Sequence, residues 1–153
     1  MTANVLRFVL VLLSALLVGT MFGIWVGYNP SALSASAYVE QQQNAIRSLN
    51  TLLPVIGAAC IVLTVWLAIL SKDDARGRYL LVAAGVCLIT AALVTRFGNQ
   101  PINAIVMTWN PRSPPAEWAA LRDTWWRWHM VRASAGMVAL GLILLAVLGA
   151  RRR

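Results

Sequence analysis

The sequence is poor in charge and in the side chains that bind metals or form disulfides. Only 12% of its 153 residues are charged, about half of what a soluble domain carries, so a water-soluble protein is excluded. There is one histidine, and the two cysteines, Cys60 and Cys87, lie in apolar runs without a CxxC motif. A disulfide framework and a cysteine-rich metal site are therefore excluded.

The sequence is rich in apolar residues. They account for 59% of the chain, and the mean hydropathy is +0.70, which excludes a disordered protein. The net charge of +8 is compatible with nucleic-acid binding. That interpretation fails because most of the basic residues flank apolar runs. The composition is that of a small integral membrane protein.

Four apolar segments are long enough to cross a bilayer, because about 20 helical residues span its hydrocarbon core. They cover residues 8–28, 51–70, 79–97 and 130–149. We therefore predict an all-α fold, an integral membrane four-helix bundle that forms one domain over residues 1–153. The polar segments 29–50 and 98–128 predict that helices 2 and 4 extend beyond the membrane on the outer side.

The basic residues are distributed unequally over the two sides, and this predicts the orientation. Four arginines are spread over the two long loops, where acidic residues offset them. The short flanks on the other side hold Arg7, Lys72, Arg76, Arg78, Arg151, Arg152 and Arg153. We expect this second side, with both termini, to face the cytoplasm.

The first apolar segment has two further features. The triplet Ala35-Ser36-Ala37 resembles a signal-peptide cleavage site, but the apolar run is longer than such signals use, so we expect it to be retained. Gly19, Gly23 and Gly27 fall on one helix face and let another helix approach closely. Packing within the chain and a homo-oligomer both remain open.

The first outer segment carries a polar stripe. Glu40, Asn44, Arg47 and Thr51 recur at helical spacing, so they lie on one face. A solvated face and a face that lines a cavity between helices both explain this pattern. Ser34 or Ser36 is placed to cap the helix that carries it.

The second outer segment begins with two asparagines around a proline. Asn99, Pro101 and Asn103 follow Arg96 at the end of the third span, which predicts non-helical backbone. Such backbone is tolerated at membrane depth only inside protein or along a cavity. The two amides either bind a ligand or satisfy that backbone.

One helical face then runs into the fourth span. Pro115 is placed to start the helix, and steps of three and four residues join Trp118, Arg122, Trp125, His129, Arg132 and Gly136. His129 and Arg132 lie one turn apart and can act on one ligand, although a purely structural histidine remains open. Arg132 is costly inside the membrane boundary unless it snorkels or has a partner, and the candidate partners are Glu40 and an oxyanion of a ligand.

These motifs resemble those of the anthrone oxygenase-like integral membrane family. The resemblance rests on Tyr28-Asn29-Pro30, on residues 38–44, on Asn99-Gln100-Pro101-Ile102-Asn103 and on the stretch from Trp125 to Arg132. It implies oxidation of an anthrone to an anthraquinone by dioxygen, although most bacterial members have no assigned reaction. The substrate's acidic C–H group reacts without a metal, so we expect no cofactor and no metal site.

The implied chemistry assigns roles to particular residues. His129 suits the base, Arg132 with Asn99 and Asn103 suits the donors for an oxyanion, and Trp125 is placed to stack on the rings. Gln42 and Asn44 are placed to bind phenolic groups, and Glu40, Arg47 and Arg96 complete the expected substrate-binding set.

Two classes of function remain at this point. One is a cofactor-independent oxidase or oxygenase of a lipophilic aromatic at the outer interface. The other is a non-enzymatic membrane protein that binds a lipid or quinone or assists a partner. In either case we expect a multi-pass protein of a bacterial inner membrane that contacts membrane lipid and binds no nucleic acid.

Overall fold

The computed structural model describes residues 2–150, so the basic run 151–153 lies outside the described residues. The helices are α1 (Thr2–Gly27), a 3₁₀ turn (Pro30–Ala32), α2 (Ala35–Leu49), α3 (Leu52–Leu70), α4 (Ala75–Val94), a π-helical turn (Thr95–Asn99), α5 (Gln100–Val106) and α6 (Trp118–Ala150). Within these residues four stretches are long and apolar enough to cross a membrane: Ala3–Ala32, Leu52–Leu70, Ala75–Val106 and Trp118–Gly149. The all-α prediction and the multi-pass membrane character are confirmed.

The four spanning helices form a ring. α1 packs against α3 and α6, and α4 packs against the same two helices from the other side. At the end that carries the turn between α3 and α4, which we call the inner end, the ring is filled by buried side chains, among them Leu10, Leu67, Leu81, Ala84, Ala139, Ile143 and Ala146. Alanines at these positions let the helices approach closely, so the interior of this half of the bundle is closely packed.

The outer half is built differently at α2. Ser34 caps this helix, because its Oγ accepts a hydrogen bond from the backbone N–H of Ala37 at 3.3 Å. The helix ends at Leu49, and α3 begins only at Leu52. The second span is thus extended on its outer side by a separate helix, and the two residues between α2 and α3, Asn50 and Thr51, keep helical dihedral angles.

The backbone around Pro101 is helical, so the prediction of non-helical backbone there is wrong. A π turn precedes the proline, and the N–H of Gln100 bonds to the carbonyl of Thr95, five residues back. Pro101 has no N–H and follows directly, at the start of α5. The wider turn accommodates the proline ring that an α-helix would push against a carbonyl. As a result, the third span continues outward to Val106.

The fourth span also extends outward. α6 has 33 residues, more than the roughly 20 that a bilayer needs. It begins at Trp118 rather than at Pro115, because residues 116 and 117 form a turn ahead of it. Gly98 makes the contact between the π turn and α6, since a Cβ there would lie 2.7 Å from Cγ of Trp128.

The first segment is an integral part of the ring. α1 packs against α3 and α6, and the triplet that resembles a cleavage site lies inside the first turns of α2. Gly19, Gly23 and Gly27 are exposed, and an added Cβ at each would meet nothing within 4 Å. Their face therefore does not pack within the described chain, and the expected homo-oligomer stays a prediction.

Candidate functional site

The outer half of the ring encloses a cavity of about 360 Å³. Its walls come from α1, α2, α3, α4, α5 and α6, and most of them are apolar, as at Leu17, Met21, Ile61 and Leu88. A volume of this size lies within the usual range of small-molecule sites. The cavity therefore suits a lipophilic ligand of a few fused rings.

A chain of side-chain hydrogen bonds holds the outer end of the cavity. Nε1 of Trp125 donates to Oδ1 of Asn103 at 2.8 Å, and Nδ2 of Asn103 donates to Oδ1 of Asn50 at 2.9 Å. These bonds join α6 to α5 and α5 to the break between α2 and α3. All three residues line the cavity, so the chain fixes the geometry of its wall.

Asn99 serves a different purpose from Asn103. Its side chain is fully buried, and its Nδ2 donates to the backbone carbonyl of Trp125 at 3.0 Å. It does not line the cavity. The structure thus places Asn99 behind Trp125, where it attaches the π turn to α6, whereas Asn103 is in the cavity wall.

His129 and Arg132 contact each other directly. The Nε and Nη2 atoms of Arg132 lie 3.2 Å and 3.1 Å from Nδ1 of His129. Nε2 of His129 lies 3.1 Å from the carbonyl oxygen of Met21. Because a carbonyl only accepts and a guanidinium only donates, the imidazole is neutral and carries its proton on Nε2. Both ring nitrogens are therefore occupied.

Aromatic rings complete the surroundings of this pair. The rings of Trp125 and His129 are stacked, with centroids 5.3 Å apart and planes 2° apart. The guanidinium of Arg132 lies over the same Trp125 ring at 5.7 Å. Tyr28 meets Trp125 edge-on at 6.4 Å. Stacking fixes the imidazole, and the imidazole fixes the direction of the guanidinium.

Arg132 has no anionic partner within the described part of the chain. Its side chain is 9% exposed, it lines the cavity, and the one ion pair among residues 2–150 joins Arg122 to Asp123. A buried cation needs a partner to offset its lost hydration. The remaining N–H groups of Arg132 are therefore available to an oxyanion in the cavity.

The two faces of α2 have different roles. Glu40, Asn44 and Arg47 are exposed and do not line the cavity, which favours the solvated interpretation of this stripe. Glu40 is thereby not the partner of Arg132. On the opposite face Gln42 is buried, lines the cavity and accepts a 3.3 Å hydrogen bond at Oε1 from the hydroxyl of Tyr28.

Gln43 fastens α2 to the rest of the molecule. Its Nε2 donates to the carbonyl oxygens of Val106 and Trp109, both at 2.9 Å. These carbonyls lie at the end of α5 and just beyond it, and the Val106 oxygen also accepts the backbone N–H of Trp109. One amide therefore joins α2 to the end of α5, although Gln43 does not itself line the cavity.

Three residues at the site escaped the sequence analysis as site residues: Tyr28, Gln43 and Asn50. Each lies in one of the segments discussed above. However, a single polar residue in a polar stretch does not indicate whether its side chain faces the interior or the solvent. The helical spacing of Gln42, Gln43 and Asn50 was the available signal, since steps of seven and eight place these amides on one face. The stripe of Glu40, Asn44 and Arg47 has the more regular spacing, but it is the exposed side of the helix.

Arg96 lies at the edge of the site, and Tyr38 lies outside it. Arg96 is exposed and lines the cavity at its rim. Tyr38 does not line the cavity, and its hydroxyl is buried without a hydrogen-bond partner. Burial raises the pKa of Tyr38, so the phenol stays protonated at any physiological pH.

These observations define a multi-pass membrane protein with a small-molecule cavity at one end of its helix ring. Residues 43–142 match the family model described as anthrone oxygenase. This match covers more than half of the chain, so the protein belongs to the anthrone oxygenase family, as the resemblance indicated. No curated protein and no solved structure matches it. Within residues 2–150, no three His, Cys, Asp or Glu side chains lie close enough together to hold a metal ion.

Proposed function

We propose that this protein oxidises a lipophilic aromatic substrate of the anthrone type with dioxygen, inside the cavity and without a cofactor. The observation that carries the proposal is the guanidinium of Arg132, a buried cation in an apolar wall without a carboxylate partner among the described residues. Such a site attracts a flat apolar molecule that develops one negative charge. An anthrone does so when it loses a proton to become an enolate.

Arg132 stabilises that charge. Its N–H groups donate to the enolate oxygen, and the low dielectric of the cavity strengthens the interaction. The substrate oxygen then takes the place that Nδ1 of His129 holds in the structure. His129 does not itself line the cavity, so this movement of the guanidinium is what exposes the Nδ1 lone pair to the substrate's C–H proton. His129 is thus both the positioning residue for Arg132 and the base.

The rest of the reaction follows from the substrate. The carbanion carbon passes an electron to dioxygen and forms a C–O bond, which gives a peroxide anion. His129 returns its proton to the outer peroxide oxygen. Loss of the remaining hydrogen from the same carbon breaks the O–O bond and yields the quinone carbonyl. One anthrone and one dioxygen give one quinone and one water.

The test is dioxygen uptake by the purified protein with anthrone as substrate. Removing one oxyanion donor typically costs about 100-fold or more in rate, and we expect at least that loss for Arg132→Met. Arg78→Met is the matched control, because Arg78 is exposed in the first turn of α4, far along the helix from the cavity, and its substitution should leave the rate unchanged. Equal rates in wild type and Arg132→Met would contradict the proposal.

Two further outcomes separate this function from its rival. Binding of anthrone without oxygen uptake would instead indicate a non-enzymatic protein that binds a lipophilic molecule. A haem or flavin band in the absorption spectrum of the purified protein would contradict the cofactor-free reaction. His129→Ala should lose the activity together with Arg132→Met, because the two side chains act as one unit.

We also propose a bacterial inner membrane location, with both ends of the chain in the cytoplasm. The support is the concentration of basic residues on the turn between α3 and α4, in the first turn of α4 and beside the two termini, since such residues favour the cytoplasmic side. A cysteine-specific reagent that does not cross membranes should label Ser113→Cys in intact cells but not Ala75→Cys. The reverse pattern would contradict this orientation.

A further inference from the structure

The cavity has an opening on the side of the bundle that faces the membrane. Near the middle of the ring α3 and α4 pack together, since a Cβ added at Gly85 would lie 3.8 Å from Cγ2 of Thr64. Two turns further out on the same face of α4, Ala92 is exposed and lines the cavity. The two helices have therefore separated between Gly85 and Ala92.

The facing side of α3 shows the same change. Ala58 is exposed and also lines the cavity. It shares its face with Val62 and Val65, whose side chains are 62% and 48% exposed on a helix apolar enough to span the membrane. Ala58 is therefore both a wall of the cavity and part of the surface that meets lipid. We call the gap between Ala58 and Ala92 the lateral window.

Hydrogen bonds cross the outer end of the cavity, whereas none crosses the window between Ala58 and Ala92 among the bonds of the described residues. The Asn103–Asn50 hydrogen bond and the two bonds from Gln43 join α2, α5 and the start of α3 across the outer end. The side chains that form these bonds are amides, so a ligand that enters from water must break or bypass them. The window is framed by the methyl groups of Ala58 and Ala92. An apolar ligand that passes between them displaces no polar group.

We propose that the substrate enters the cavity from the bilayer through the lateral window, and that the small side chains at Ala58 and Ala92 set the width of the ring system admitted. The class of ligand, a lipophilic fused-ring aromatic, rests on the proposed function. A planar polycyclic molecule partitions into the hydrocarbon region, where the window is open to it. Arg96 lies at the rim of the cavity, one turn beyond Ala92, and marks the outer edge of this route.

The experiment measures association of anthraquinone, a ligand that has the substrate's ring shape and does not react. The protein is held in lipid nanodiscs and mixed with anthraquinone-loaded vesicles, and binding is followed by quenching of tryptophan fluorescence. The variants are Ala58→Phe and Ala92→Phe. Ala83→Phe is the matched control, because Ala83 is an exposed alanine of α4 that does not line the cavity.

We expect each window variant to slow the association of anthraquinone by about tenfold or more, because a narrower route of access lowers the association rate constant. The control should match wild type. In a graded series at Ala92, association should fall in the order Gly, Ala, Val, Phe. Gln41→Phe places the same bulk on α2 at the exposed outer end of the cavity. Wild-type rates in both window variants, or slowing by Gln41→Phe alone, would overturn the lateral route.

The same preparations separate this inference from the proposed function. Slow association in the window variants, with no oxidation of anthrone by wild type, would support the window and contradict the reaction. Oxidation of anthrone at wild-type rates by both window variants, with unchanged association of anthraquinone, would contradict the window and leave the reaction standing.

Discussion

The inner and outer halves of this helix ring are built from the same four helices, but one half has a filled interior and the other has an open one. In the inner half the buried residues are small or aliphatic, as at Ala139, Ile143 and Ala146, and the ring is filled. In the outer half the helices separate around a cavity of about 360 Å³. Hydrogen bonds from side chains and a separate cluster of buried apolar residues, Ile102, Val106 and Trp125, hold that half together.

The difference shows how a membrane protein keeps a cavity open. Lipid gives helices no hydrophobic reason to associate, so packing and polar contacts decide their positions. Close packing of small residues anchors one end of the ring. Amide bridges then brace the other end at a fixed separation, and the space between them remains for a ligand.

The largest expected effect on stability comes from adding the same bulk to each half. Ala139 is fully buried in the inner half, whereas Ala91 is 9% exposed and lines the cavity. Overpacking a filled core costs typically up to about 3 kcal/mol, so Ala139→Leu should lower the free energy of unfolding by about that amount. Ala91→Leu should cost less than about 1 kcal/mol, because its side chain has the cavity to occupy.

Unfolding in mixed micelles measures both variants. Ala91→Leu should also weaken anthraquinone binding, since it removes volume from the cavity, while Ala139→Leu should bind as wild type once folded. Equal destabilisation by the two substitutions would remove the distinction between a filled and an open half.

The next effect concerns the amide chain. Asn103→Leu leaves Oδ1 of Asn50 and Nε1 of Trp125 without their partners. Buried polar groups without partners cost about 1–3 kcal/mol each, although water that enters the cavity offsets part of this. We expect a loss of about 2 kcal/mol in the free energy of unfolding. Asn44→Leu, at an exposed asparagine of α2, is the control and should change stability little.

A smaller and more local effect is expected at Gln43. Gln43→Leu removes one hydrogen bond from each of the carbonyl oxygens of Val106 and Trp109. The Val106 oxygen keeps its bond from the N–H of Trp109, so the loss costs about 1 kcal/mol. Because the bonds from Gln43 join α2 to α5, hydrogen exchange should speed up in α2 and leave α3 and α6 unchanged. Faster exchange throughout the ring would show that α2 is not a separate unit.

The smallest effect belongs to the exposed stripe. Glu40→Gln and Arg47→Gln should each change the free energy of unfolding by less than about 0.5 kcal/mol, as exposed substitutions do. Neither side chain lines the cavity, so ligand binding should also stay the same. A tenfold loss of binding in either variant would return this stripe to the site.

The sequence was sufficient for the fold because bilayer thickness leaves few choices. An apolar run of about 20 residues must be a spanning helix, and the short polar turn between the second and third runs makes them neighbours. The regions around Pro101 and Asn50 were harder. A proline is compatible with a loop or with a π turn, and the contact of Gly98 with Trp128, which favours the helix, joins residues far apart in the chain.

The candidate site was predictable to a lesser extent. His129 and Arg132 stood out because polar residues are costly in a spanning helix. Their contact with each other, and the contact of His129 with Met21, depend on how α1 and α6 meet. Likewise, both faces of α2 are polar, so the burial of Gln42 and Gln43 and the exposure of Glu40 follow from packing that spacing alone does not reveal.

The central claim is that Arg132 binds an oxygen of a flat aromatic ligand inside the cavity. An experimental structure with a bound hydroxylated anthraquinone tests it most directly. The account predicts a ligand oxygen at about 3 Å, hydrogen-bond distance, from the guanidinium of Arg132, with the rings lying between α3 and α4. A ligand bound outside the cavity, or one inside it while the guanidinium bonds only to His129, would contradict the account.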